Sequence, residues 1–127
     1  MPAQFGFPKT ARLRRRAEYL AVKAEGVSFA DGPLAASYRP RSGESTRAGM
    51  LPAFARVGVT VSSKVGEAVV RSRVKRKLRE AVRRELSLLP PVELVLVARA
   101  SAVHAGVGDF RAWLRRAAAR IRKEIGS

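Results

Sequence analysis

The apolar and polar positions of this chain change period several times, and each change marks an element. Residues 15–25 read as a short helix: Ala17, Tyr19, Leu20, Ala21, Val22 and Ala24 favour or tolerate it, and Gly26 suits its end. Arg12, Arg14, Arg15 and Arg16 crowd its entrance. Residues 34–39 alternate, with Leu34, Ala36 and Tyr38 on one face and Ala35 and Ser37 on the other, which is a strand period. Pro40, Gly43, Gly49 and Pro52 make 40–53 the clearest loop. Residues 56–62 form a second strand, with Val57, Val59 and Val61 on one face. A long helix runs from Gly66 to about Leu88, and Pro90-Pro91 stops it. Residues 93–98 are a third strand, whose unbroken run of Leu94, Val95, Leu96 and Val97 places it centrally in a sheet. Residues 100–108 read as one helical turn plus a loop. Asp109 is a good N-cap for a last helix. There Phe110, Trp113, Leu114, Ala117, Ala118, Ile121 and Ile125 recur at three- and four-residue steps. No element is assigned to residues 27–33. The order α-β-β-α-β-α predicts an α+β domain with helices packed on a small sheet. It spans 1–127 without repeat or linker, and residues 1–9 are expected to be a flexible arm.

Composition then limits the function. The chain has 127 residues and is 46% hydrophobic, enough for one core and too apolar for a disordered basic tail. Lys plus Arg is 26 against 10 acidic residues, a net charge of +16. A surface this basic attracts polyanions. The expected partner is therefore nucleic acid or an anionic membrane, not the small substrate of an ordinary neutral enzyme. The absence of cysteine excludes disulfides, thiolate metal sites and a cysteine nucleophile, and fits the cytoplasm expected here. No run reaches the roughly 18 apolar residues of a membrane span, and Met1–Pro8 lacks the pattern of a secretory signal. His104 is the only histidine and stands in no ligand motif, while the carboxylates are scattered. The glycine patterns of nucleotide-binding loops are missing. No catalytic and no metal-binding residue is expected in the protein itself.

The long helix is the most informative segment. On a helical wheel with Val74 at zero, Val70, Leu78, Ala81 and Val82 fall between about −40° and +80°. Ser72, Arg76, Arg79 and Arg83 lie within about 40° of the opposite pole, with Arg73 and Lys75 on the flanks. Arg71, at about +60°, sits nearer the apolar side. One face therefore buries aliphatic groups, and the other is almost entirely cationic, with Glu80 as its main acid. An ordinary solvated helix face mixes Glu with Lys at four-residue spacing; here like charges repel by a few tenths of a kcal/mol per pair. A phosphate backbone would relieve that repulsion, and Arg suits forked phosphate contacts and stacking on bases.

The run Val59-Thr-Val-Ser-Ser-Lys-Val-Gly-Glu-Ala-Val-Val-Arg-Ser-Arg-Val-Lys-Arg-Lys-Leu-Arg-Glu80 resembles the signature of the bacterial ribonuclease P protein subunit. In that family a strand ending in Val-Ser-Lys-Lys leads through Gly and Ala-Val into an Arg-Asn-Arg helix with further Lys-Arg. Leu13 to Tyr19 resembles the family's opening, and Leu94 to Arg99 its last strand. The resemblance covers roughly residues 10 to 125. Ser72 stands where the family has Asn, Ser63 where Lys is common, and the 40–53 loop is longer than usual.

The resemblance implies a small α/β sandwich with a mixed sheet. Its strand–helix–strand unit would be a left-handed parallel crossover, against the general right-handed rule. It implies a subunit of an endoribonuclease that removes the 5′ leader of precursor tRNA by phosphodiester hydrolysis, leaving a 5′-phosphate. The chemistry and most of the bound Mg²⁺ belong to the catalytic RNA subunit. The partners are then ribonuclease P RNA and precursor tRNA, with no membrane and no obligate protein partner. Arg71, Ser72, Arg73, Lys75, Arg76, Arg79 and Arg83 are the expected contacts to the RNA subunit. For the single-stranded leader, aromatic faces with nearby charge are needed. Tyr19, Phe29 and Tyr38 are candidates, with Lys23, Arg39, Ser62 and Lys64 around them; each aromatic could equally be core. Trp113 and Phe110 belong to the core by their place on the apolar stripe. A structural RNA-binding protein, such as a ribosomal subunit protein, fits the composition equally and differs by the motif. A DNA-compacting protein lacks the motif.

Overall fold

The computed structural model describes residues 12–13, 15–40 and 55–126. The expected N-terminal arm and most of the 40–53 loop lie outside the described residues. Three helices and four strands follow one another: α1 (Arg16–Glu25), β1 (Val27–Asp31), β2 (Leu34–Pro40), β3 (Arg56–Val61), α2 (Ala68–Glu85), β4 (Val92–Ala98) and α3 (Val107–Gly126). Short 3₁₀ turns precede and follow α2, at Ser63–Val65 and Leu86–Leu88, and another precedes α3 at Ala100–His104.

The sheet order is β1-β2-β4-β3. The first two pairings are antiparallel, and β3 runs parallel to β4. The sheet is mixed, as expected, and β3–α2–β4 is its parallel crossover. β4 is central, and its run Val92–Leu96 is buried throughout; a strand covered on both faces calls for apolar residues, and the exception, Glu93, is ion-paired with Arg39.

β1 corrects the predicted order, which becomes α-β-β-β-α-β-α. Its residues are exposed except for half-buried Phe29, so no inside/outside alternation marks it. The turn that pairs it with β2 is Gly32-Pro33, with Gly32 at φ +57°. A two-residue hairpin with glycine first and φ positive is a favoured geometry, so the turn carried the missing signal. Asp109 is a second correction. It lies inside the first turn of α3, and its carboxylate accepts the Gly106 backbone N–H at 2.8 Å, reaching back to the helix start instead of preceding it.

The two sheet faces carry unequal cores. Leu34, Ala36, Tyr38, Val57, Val59, Leu94 and Leu96 meet the buried faces of α2 and α3 in one large cluster. Val74, Leu78, Ala81 and Val82 come from α2; Phe110, Trp113, Leu114, Ala117, Ala118 and Ile121 come from α3. Both apolar stripes are buried where the periodicity puts them, apart from Val70, which is half-buried at the start of α2, and Ile125, which is exposed at the end of α3. On the opposite face the buried apolar residues among those described are Leu13, Val22 and Val95, with Tyr19 and Val97 packed against them. Among the described residues α1 is the helix that packs on that face, with Leu13 beside it.

Candidate nucleic-acid interface

Helix α2 presents the cationic face that its sequence predicts. Burying Val74, Leu78, Ala81 and Val82 turns Ser72, Arg73, Arg76 and Arg79 outward, and all four are exposed. Lys75 is half-buried on the flank. Among the described residues Arg73, Lys75, Arg76 and Arg79 have no carboxylate partner. Unpaired guanidinium groups in water, already crowded by like charges, gain most when a phosphate approaches.

Two predicted members of this face differ. Arg71 is half-buried, and its Nε is buried without a hydrogen-bond partner, as its place toward the apolar side entails. Arg83 is not free for RNA. Its Nε donates to Glu80 at 2.9 Å, and Arg84 pairs with the same carboxylate at 2.6 Å. Those bonds, Arg83's first, hold the Glu80 carboxyl at a pKa of about 2. The last turn of α2 is therefore partly self-neutralised.

Tyr19 lies in a cleft between α1 and the sheet. Arg16, Tyr19, Leu20 and Lys23 follow the i, i+3, i+4, i+7 spacing of one helix face. With Val59 and Thr60 they line a cavity of about 420 Å³. Arg16 and Thr60 were absent from the predicted site, although the α1 spacing could have shown Arg16. Gly58 was also missed. A Cβ at that position would stand 2.4 Å from a Tyr19 ring carbon, so only glycine lets the ring lie on β3. A glycine inside a valine-rich strand is a signal of such close approach. Burial raises the Tyr19 hydroxyl pKa, while the Val59 backbone and the charge of Arg79 pull it down. Lys23 and Lys64 are exposed; Ser62 is half-buried, and its hydroxyl accepts the Lys64 backbone N–H at 3.1 Å.

Phe29 and Tyr38 do not join this cleft, which corrects the predicted grouping of three aromatics. Phe29 pairs across the strands with Ala36, and Tyr38 with Leu94, so both point to the α3 side. Phe29 stacks on Trp113 at 5.8 Å, with the Arg120 guanidinium 4.2 Å from its ring centre. Tyr38 is 2% exposed and donates its hydroxyl to Glu124. Burial first, and then that carboxylate, pushes its pKa up to about 12. Parity along a strand separates residue 38 from 37 and 39 by the whole thickness of the sheet. Arg39 does face the α1 side, but it is held by Glu25 at 2.7 Å and Glu93 at 2.6 Å.

This fold has counterparts among solved structures. The Staphylococcus aureus RNase P protein matches over 91% of this chain and 97% of its own, with 23% identity and a TM-score of 0.69. The Thermotoga maritima RNase P protein matches over 86% and 96%, with 24% identity and a TM-score of 0.70. In sequence, the ribonuclease P protein component of Citrifermentans bemidjiense is 35% identical over 93% of this chain and 94% of its own length. That of Gluconacetobacter diazotrophicus is 40% identical over 86% and 92%. A family model described as Ribonuclease P matches residues 7–122. With nearly the whole length matched by both, the chain belongs to the ribonuclease P protein family.

Proposed function

We propose that this chain docks the exposed cations of α2 on the ribonuclease P RNA and holds the 5′ leader of precursor tRNA along the Tyr19 cleft. The carrying observation is the row of exposed, unpaired guanidinium groups on one face of α2. Arg73, Arg76 and Arg79 with Lys75 contact phosphates, Ser72 lies among them, and Arg71 contributes from the rim. Arg83 adds less while Glu80 holds it. The Tyr19 ring offers the leader a stacking surface, with Arg16, Lys23 and Lys64 supplying charge and Thr60 and Ser62 hydroxyls. The protein's part in cleavage is binding and orientation, which shortens the search for the reactive geometry.

Mg²⁺ belongs to the RNA in this reading. A protein Mg²⁺ site needs carboxylates free of other partners. On α2 the Glu80 carboxylate is spoken for by Arg83 and Arg84. Among the described residues no three acidic or histidine side chains cluster. The cytoplasm, where precursor tRNA is found, is the compartment this reading implies.

The test mixes the protein with a bacterial ribonuclease P RNA and labelled precursor tRNA at low Mg²⁺. Stimulated 5′ cleavage is expected; no stimulation with any compatible RNA subunit would overturn the reading. Tyr19→Ala should weaken substrates with a long leader more than mature tRNA. Equal loss for both would make Tyr19 a packing residue only.

A further inference from the structure

A chain of ion pairs crosses the sheet beneath α1. Glu25 of α1 pairs with Arg39 of β2 at 2.7 Å, and Arg39 with Glu93 of β4 at 2.6 Å. Glu93 also lies 3.5 Å from Arg56 of β3, which pairs with Glu18 of α1 at 2.8 Å. Both ends of the chain are on one helix, and its middle is on three neighbouring strands. The dimensions agree. Residues 18 and 25 are seven apart, about 10 Å along a helix. β2 and β3 flank β4, two strand spacings or about 9.6 Å apart. α1 therefore lies across the strands, tied down at Glu18 and Glu25.

Glu93 is the centre of this arrangement. Its side chain is 9% exposed, and it is the group that both guanidiniums share. Among the described residues the apolar contacts on this face are few: Leu13, Val22 and Val95 are the buried ones. Ion pairs normally add little where a large core decides position; here the core is small. Between the two tied residues α1 carries Tyr19 and Lys23 of the cleft.

We propose that Glu93 is a positioning residue: it fixes α1 crosswise on the sheet and so sets the width of the cleft that receives the leader. The proposal rests on the leader reading above. It also gives Arg39 a role other than contact with the leader. Glu93→Gln leaves Arg39 with Glu25 and Arg56 with Glu18, but it removes the charge that joins the two halves. The domain keeps its larger core on the other face.

The experiment uses holoenzyme reconstituted with a bacterial ribonuclease P RNA. Glu93→Gln should weaken binding of a long-leader precursor at least about fivefold, the low end of coupling between distinct sites. Affinity for mature tRNA and for the RNA subunit should not change. Because the chain has no cysteine, Ala24→Cys and Ala119→Cys, both exposed, can carry spin labels without background. Glu93→Gln should broaden the distance distribution between them. An unchanged distribution overturns the proposal, as does equal weakening of precursor and mature tRNA, or no weakening of either. If Tyr19→Ala spares leader binding, the leader reading fails, and the label distances alone decide whether Glu93 fixes α1.

Discussion

Helices α2 and α3 are both amphipathic and rich in arginine, yet their charges are spent differently. Of the eight cations in α2, among the described residues only Arg83 and Arg84 are paired, both with Glu80. In α3 five of six are engaged. Arg111 and Arg115 hold buried Glu85, Arg116 lies 3.9 Å from Asp31, Arg120 pairs with Glu124, and Arg122 donates to the Leu88 carbonyl. The α3 cations fasten that helix to α2 and the sheet edge. Among the described residues Arg73, Lys75, Arg76 and Arg79 of α2 form no ion pair with another element. On the function proposed above, the RNA surface is located by the cations left without an internal partner and not by a count of basic residues.

Charge reversal is the strongest way to break this contrast. Arg76→Glu with Arg79→Glu should weaken binding to the ribonuclease P RNA on the order of 10²-fold, and should flatten its salt dependence by roughly two phosphate contacts. The fold should be unchanged by circular dichroism. The α3 counterpart, Arg116→Glu with Lys123→Glu, should cost less than about threefold, since long-range attraction is screened beyond roughly 10 Å. Equal losses in filter-binding titrations would mean that total charge matters, not the unpaired face.

Glu85 tests the other side. It is 1% exposed and joins α2 to Arg111 and Arg115 of α3 at 2.6 and 3.1 Å. Burial alone would raise its pKa, but the two arginines outweigh this and lower it. Glu85→Gln should destabilise the fold by about 1–2 kcal/mol, below the usual cost of breaking a buried pair because both arginines reach water. A carboxylate with a depressed folded pKa stabilises above its unfolded pKa, and that stability is lost as pH falls through the folded value. Wild-type denaturation midpoints should therefore drop from about pH 5 downward, and the Glu85→Gln midpoints should drop less. An identical acid profile would remove Glu85 from the account.

The smallest effect expected is a gain. Glu80→Gln removes the carboxylate that pairs with Arg83 and Arg84. Affinity for the RNA should rise about two- to fivefold, a few tenths to one kcal/mol for an exposed pair. Unchanged affinity would place the last turn of α2 outside the contact surface.

Much of this was legible in the sequence, in ways that depend on distance along the chain. The two apolar stripes and the cationic pole of α2 follow from a 3.6-residue period within one helix. β2, β3 and β4 follow from alternation and an unbroken apolar run. β1 was hidden because an exposed edge strand has no buried face to impose a pattern. The cleft was half legible. Tyr19 and Lys23 share a helix face with Arg16, but Gly58 matters only because α1 sets a ring against β3. Phe29 and Tyr38 have the aromatic character a leader site needs; strand pairing turns them toward α3 instead.

By itself, then, the order of residues determined every helix and strand but β1, the face each of those buries, and the excess of positive charge on α2, because all three arise from neighbours a few positions apart. Which cations remain free was decided only in three dimensions. Glu85 reaches Arg111 and Arg115 across 26 and 30 residues, and Glu93 reaches Arg39 across 54. Such pairs form because packing brings distant elements within about 3 Å, where a carboxylate neutralises a guanidinium that local sequence shows only as charge.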